Sequence, residues 1–322
     1  MAKVLITGGM GFIGLHTVRK FLDAGDEVVA TRYQTVREPE FLKGELGKRV
    51  TVVPLDLQAG HDVIDVVHKH KVDSIVHLAV PGLNALSPAA DYQTNMNGLL
   101  NILEAGRIAG CSRVSVDSSG SVYTGVPGPF KEDMPLPMIA KSATEAYKKS
   151  FELLSLHYAD RTGMSVIILR ITGIYGPLYH SMSNLPSRLC HAAVKGIAPN
   201  LAARGGVPFE EDAQDLTYAP DCALGIQLVH SKAQQHRVYN IGGGRAITNG
   251  EMVRATQKAV PGFEATLQAG RGPAWRPDPY LDNSWAETEV GYKPQFSVDE
   301  ADRKSTRLNS SHIPLSRMPS SA

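Results

Sequence analysis

Lys3-Val4-Leu5-Ile6-Thr7 is an apolar run long enough for one strand. It leads at once into Gly8-Gly9-Met10-Gly11-Phe12-Ile13-Gly14, and then into Leu15 to Leu22 with apolar residues at helical spacing. A glycine triplet alone says little. One that closes a strand and opens a helix gives each glycine a task. Gly8 permits a tight turn, Gly11 lets backbone N–H groups approach a pyrophosphate, and Gly14 allows helix and strand to pack closely. The phosphates then sit at the positive end of the helix dipole. A glycine-rich turn with no ligand is the weaker reading in this setting. The motif predicts a dinucleotide site built on Gly8, Gly11, Phe12, Ile13 and Gly14.

The same rhythm fills the first half of the chain. Strand-like runs at Glu27–Thr31, Val50–Leu57, Asp73–Ala79, Arg113–Ser119 and Met164–Arg170 alternate with helical stretches near 61–70, 88–109 and 142–162. The expectation is an α/β fold, a Rossmann-type doubly wound parallel sheet covered on both faces. After Arg170 proline and glycine become frequent, and helical pieces near 185–195, 220–231 and 248–258 are separated by irregular segments. We therefore expect a dinucleotide-binding domain over 1–174, with 215–242 returning to it, and a smaller substrate lobe over 175–300. From Ala301 to Ala322 the chain is serine-rich, basic and without apolar periodicity. It breaks into what reads as the start of a terminal helix at Phe296–Glu300. The expectation is a disordered, non-native extension with no part in function.

A formal net charge of +1 gives no electrostatic case for nucleic acid or membrane partners. Cys111, Cys190 and Cys222 are odd in number and lack CxxC spacing, which suggests a reducing compartment with neither disulfides nor a metal site. No apolar stretch approaches a membrane span, and a strand at the N-terminus leaves no room for a signal peptide. A cytoplasmic protein is expected.

From about Lys3 to Glu300 the sequence resembles the extended short-chain dehydrogenase/reductase family, which includes nucleotide-sugar epimerases and dehydratases. The matching segments come in order. After the glycine motif, Asp56-Leu57 resembles the pair that borders the adenine, and His77-Leu78-Ala79 the end of the fourth strand. Asn95 to Ala105 is similar to the long central helix, and Ser118 to Tyr123 to the fifth-strand active-site segment. Leu169-Arg170 through Ile174-Tyr175-Gly176-Pro177 resembles the entry to the substrate lobe. Asp215-Leu216-Thr217-Tyr218 with Asp221, Tyr239 to Gly242, and Gly291 to Pro294 complete the series. The resemblance implies cofactor contacts at Asp56, Leu57, Leu78, Ala79 and Asn95, and a homodimer.

At the end of the second strand a carboxylate would bind the ribose hydroxyls of NAD and repel a 2′-phosphate. Arg32 stands there instead, with Arg37 five residues on. A guanidinium suits a phosphate, so NADP is favoured over NAD, unless Arg32 is a solvated residue stacking on adenine.

The catalytic pattern implied by the resemblance is Tyr-x-x-x-Lys on a helix with a serine or threonine from the fifth strand. Lysine holds the ribose and lowers the phenol's pKa. Lys148 fits the lysine and Ser119 the strand hydroxyl, unless Ser119 only caps the backbone at the strand end. The residue four before Lys148, however, is Thr144. An aliphatic alcohol is a poor general base unaided. Tyr147, Tyr123, Tyr179 and His180 are candidate substitutes, although Tyr147 lies about 60° around the helix from Thr144 and so cannot simply take the phenol's place. Gly120 and Ser121 stand where dehydratases carry an Asp-Glu pair, which argues against dehydration. Tyr175, His180 and Asn184 resemble substrate contacts; Asn184-Leu185-Pro186 reads equally as a helix start. Three functions remain open. They are an NAD(P)-dependent epimerase or oxidoreductase on a nucleotide sugar, an NADPH-dependent carbonyl reductase, and a dinucleotide-binding sensor or scaffold without turnover.

Overall fold

The computed structural model describes residues 1–33, 38–80, 86–179, 181–202, 206–273 and 275–312. In chain order the elements are β1 (Lys3–Thr7), α1 (Phe12–Asp23), β2 (Glu27–Arg32), β3 (Val50–Pro54), α2 (Gly60–Lys69), β4 (Ser74–His77), α3 (Pro88–Ile108) and β5 (Val114–Ser119). Then come α4 (Ala143–Thr162), β6 (Val166–Ile171), β7 (Gly173–Tyr175), α5 (Leu185–Lys195), β8 (Ala213–Tyr218) and α6 (Ala219–Ser231). The last are β9 (Val238–Ile241), β10 (Ala246–Thr248), α7 (Asn249–Ala259), α8 (Ser284–Val290) and α9 (Val298–His312).

Seven strands form one sheet in the order β3-β2-β1-β4-β5-β6-β9, every neighbouring pair parallel. β1 lies in the middle with Val4, Leu5 and Ile6 buried, which is why its sequence is continuously apolar rather than alternating. On one face Leu15, Val18 and Phe21 of α1 and Ile226 of α6 pack on the strands. On the other, Val63 of α2, Leu99 and Ile102 of α3 and Phe151 of α4 do the same. Helix ends follow local chemistry. Ser142 caps α4 by accepting from the Glu145 N–H, and Gly163 ends it in the left-handed region at φ 71°.

The smaller lobe carries a three-stranded sheet, β10-β8-β7, above a core of Leu185, Leu189, Met252 and Val253. The segment expected to return to the first domain divides. β9 pairs with β6 in the large sheet, while β8 pairs with β7 and β10 in the small one.

The expectation that the chain is unstructured from Ala301 is corrected over its first turns. Ala301 and Ser305 of α9 are buried, and the Asp302 carboxylate accepts from Cys190 Sγ at 3.0 Å and Thr256 Oγ1 at 3.4 Å. Small side chains make the buried face, so no large apolar residue announces it in the sequence. Residues 313–322 lie outside the described residues.

The glycine turn is sterically exacting. A Cβ on Gly14 would lie 2.1 Å from the Gly8 carbonyl oxygen, and Gly8 itself is at φ +64°. Gly14→Ala should therefore lower unfolding stability by at least about 1–3 kcal/mol, as overpacking does. Urea unfolding would measure it, and a wild-type midpoint would show that the turn is looser than described.

Candidate active site

The strand order reverses at β1 and β4, so their carboxyl ends open the crevice where such sheets bind ligands. Gly11 caps α1 with no side-chain hydrogen bond, and the first turn holds no acidic residue. Its N–H groups and positive dipole end are thus left to an anion. Across the crevice Thr7 Oγ1 accepts from the backbone N–H of Leu78 at 3.1 Å and of Ala79 at 3.2 Å. Its own proton then goes to His77 Nδ1, 2.8 Å away. That leaves the proton of the imidazole on Nε2, which has no partner among the described residues. Burial lowers the pKa of this ring to about 3, so it is neutral.

The other expected cofactor contacts sit around the same edge. Asp56 Oδ1 accepts from the Gln58 N–H at 2.9 Å, and Leu57 O accepts from Asn101 Nδ2 at 2.7 Å, which fixes the chain just beyond β3. Arg32 ends β2 half-buried and makes no ion pair among the described residues; Arg37 lies outside them. Asn95 Nδ2 donates to Asp91, to its carbonyl at 2.8 Å and its carboxylate at 2.9 Å.

α4 carries two of the expected site residues, Thr144 and Lys148. The Lys148 ammonium is buried and donates to Asp117 twice, to Oδ2 at 2.8 Å and to the carbonyl at 2.9 Å. Asp117 is a partner of Lys148 that the sequence reading misses; its only signal there is an acid in a buried strand two residues before Ser119. Ser119 Oγ accepts from the Ser121 N–H at 3.2 Å and from Ser121 Oγ at 3.0 Å. The capping role of Ser119 is therefore present, while its own proton remains free to donate.

One turn beyond Lys148, Glu152 takes a bidentate pair from Arg170, at 3.0 Å from Nε and 2.7 Å from Nη2, and a third donor from Ser118. Arg170 Nη1 also donates to the Tyr123 hydroxyl at 2.6 Å, which donates to Asn240 Oδ1 at 3.0 Å. Burial pushes the Tyr123 phenol up to about 12. Tyr123 is thus fully engaged in tying β5, β6 and β9 together and is not presented to the crevice.

Tyr179 pairs its hydroxyl with Ser183 Oγ at 2.7 Å and rests its ring on Phe12, 4.5 Å between centroids. His180 lies outside the described residues. Asn184 caps α5, accepting from the Ser187 N–H at 3.0 Å and donating to Ile174 O at 3.0 Å, so its amide is spent on the backbone. Tyr175 is buried in the small lobe beside Tyr218.

Tyr147 does not stand where Thr144 stands, but its hydroxyl reaches that residue. Its hydroxyl lies 3.2 Å from Thr144 Oγ1, because positions three apart on a helix are neighbours and a tyrosine is long enough to fold back along the axis. Thr144 is half-buried, and Tyr147 is buried against Phe151.

Replacing Lys148 by Met would leave the Asp117 carboxylate uncompensated, a loss of about 3–5 kcal/mol. Burial, outweighing Lys148, already raises the Asp117 carboxyl above its ordinary value. The folded state therefore holds that proton more readily than the unfolded state, and stability falls as pH rises through this range. The Lys148→Met penalty should be largest at neutral and alkaline pH and shrink on acidification. Lys148→Met/Asp117→Leu should recover most of it in urea unfolding at pH 5 and pH 8. A double variant no more stable than the single one would count against the pair.

Residues 4–242 match the NAD dependent epimerase/dehydratase family. The chain is 29% identical to a UDP-glucose 4-epimerase of Neisseria meningitidis serogroup C, over 93% of this chain and 95% of that protein. In fold it is similar to the Thermus thermophilus UDP-glucose 4-epimerase crystallised with NAD. The TM-score there is 0.78 at 24% identity, over 97% of this chain and 100% of the other. It is also similar to a dTDP-glucose 4,6-dehydratase of Bacillus anthracis in complex with NAD, with a TM-score of 0.82 at 22% identity over 97% and 98% of the two chains. With more than half of its length matched, this chain belongs to the NAD dependent epimerase/dehydratase family of enzymes.

Proposed function

We propose that this enzyme is a nicotinamide-dinucleotide-dependent epimerase or oxidoreductase acting on a nucleotide sugar or a related carbonyl or hydroxyl compound. The observation that carries the reading is the convergence of the glycine turn, Ser119 and the Lys148 ammonium at the carboxyl edge of one parallel sheet. When bound, the dinucleotide supplies or accepts hydride. The chain's own residues do the rest. An ammonium has three donors; with two given to Asp117, Lys148 retains one for a ribose hydroxyl. Ser119, with its oxygen held by Ser121, directs its proton at a substrate oxygen.

Arg32, free of carboxylate partners among the described residues, supports NADP over NAD. Titration of both cofactors tests this: NADP should bind more tightly, and Arg32→Asp should reverse the order by about 1–3 kcal/mol. Equal affinities before and after the substitution would remove Arg32 from the cofactor site. Incubation with UDP-glucose and cofactor, followed by NMR of the sugar, tests the epimerase reading. Inversion without net cofactor reduction supports it. Consumption of NADPH with an aldehyde such as 4-nitrobenzaldehyde, and no inversion, supports the reductase. A preference for NADP, which Arg32 supports, favours the reductase reading.

A homodimer is supported by exposed apolar side chains on α3 and α4. Tyr92, Leu100 and Ile108 of α3 and Leu153 and Leu154 of α4 are exposed, Leu153 at 71%. α3 and α4 pack against each other, so a partner copy seated there would cover several of these side chains together. Leu153→Asp should shift the protein from dimer to monomer in size-exclusion chromatography with its cofactor affinity retained. A monomeric wild type would dispose of this interface.

A further inference from the structure

We infer that Thr144 and Tyr147 act as one proton-exchanging unit, in which Thr144 presents the proton to the substrate oxygen and Tyr147, behind it, replaces that proton. The inference rests on the reading under Proposed function and adds the group that stands in for the missing phenol at position 144.

The geometry assigns each residue its part. Thr144 is half-buried near the start of α4, one turn before Lys148, so the two share one face of the helix. Tyr147 is 3% exposed and cannot itself meet a ligand. Its hydroxyl has Thr144 Oγ1 as its one hydrogen-bonding partner among the described residues, at 3.2 Å. The ring is held by Phe151, 6.1 Å between centroids on the same helix. Charged groups facing the phenol are Asp91 from α3 and Asp117 from β5, while Arg170 of β6 is already paired with Glu152. Burial first and these two carboxylates next raise the phenol, and the Thr144 hydrogen bond alone lowers it. The resting state is thus a protonated phenol with one exit for its proton.

In the reducing direction the balance is closed. Hydride from the reduced dinucleotide adds to the carbonyl carbon, and the C=O π pair moves onto oxygen. That oxygen takes the Thr144 hydroxyl proton while Thr144 Oγ1 takes the Tyr147 proton. The products are the alcohol, the oxidised dinucleotide and a phenolate, which regains its proton through Thr144 from water that enters once the product has left. The oxidising direction is the reverse and starts from the phenolate. Thr144 is then the residue that touches substrate, and Tyr147 is a positioning residue acting through it.

The test has a spectroscopic arm and a kinetic arm. Protein labelled with ¹³C at the tyrosine ring carbon bearing oxygen is titrated without cofactor, the Tyr147 resonance being assigned by its loss in Tyr147→Phe. Thr144→Val should move the Tyr147 midpoint upward by removing the hydrogen bond that lowers it, whereas Thr144→Ser should leave it near wild type. An unmoved midpoint in Thr144→Val overturns the pairing, whatever the enzyme's activity. In turnover with NADPH and 4-nitrobenzaldehyde, or with UDP-glucose, Tyr147→Phe should lower kcat by about ten- to a hundred-fold with KM little changed. That is the lower part of the range for general acid–base help. Thr144→Ser should keep most of kcat and Thr144→Val should lose it. Tyr147→Phe with wild-type kcat overturns the relay alone. Wild-type protein that binds dinucleotide yet turns over neither probe overturns the reading under Proposed function and the relay with it.

Discussion

Two buried ion pairs, one helical turn apart on α4, hold that helix on the sheet, and the site depends on where they hold it. Lys148 reaches Asp117 on β5, and Glu152 reaches Arg170 on β6. The polarity is crossed: the helix contributes the cation in the first pair and the anion in the second. Burying such charges costs desolvation that their attraction does not reliably exceed, so their value lies less in stability than in specificity. A slip of α4 by one turn would bring Lys148 toward Arg170 or Glu152 toward Asp117, like charge against like in either case. The correct docking fixes which residues of α4 lie toward the end of β5.

Much of this is legible in the chain. The glycine turn, the alternation of strands and helices and the break after Arg170 rest on periodicity and on steric needs that single residues announce. Gly14 is the clearest case, since no side chain fits beside the Gly8 carbonyl. β8 joins the smaller sheet from within a segment expected to return to the larger one.

What escapes the sequence shares one physical cause: it depends on the third dimension between residues whose spacing carries no signal. Asp117 is an isolated acid in a strand until α4 lays Lys148 across it. The angle of Tyr147 around the helix separates it from the position of Thr144, yet gives no hint that the two hydroxyls meet, which takes a side chain long enough to fold back along the axis. Asn184 reads as a ligand contact or a cap, and its neighbours on the backbone decide for the cap. The buried face of α9 is made of Ala301, Asp302 and Ser305, which pack against α5 and α7 but look like surface in a hydropathy pattern.

Thr7 has a consequence of a different kind. One hydroxyl oxygen at the end of β1 restrains the two backbone N–H groups where the chain leaves β4. It therefore sets the direction in which that chain departs and the width of the crevice beneath it. An isosteric valine would fit the same space in the core but would release two donors toward the place where phosphate is expected. The crevice would then carry loose hydrogen-bonding capacity of its own, open to any small anion in solution. Selectivity for a large dinucleotide over such anions would thus begin with a side chain that no ligand touches.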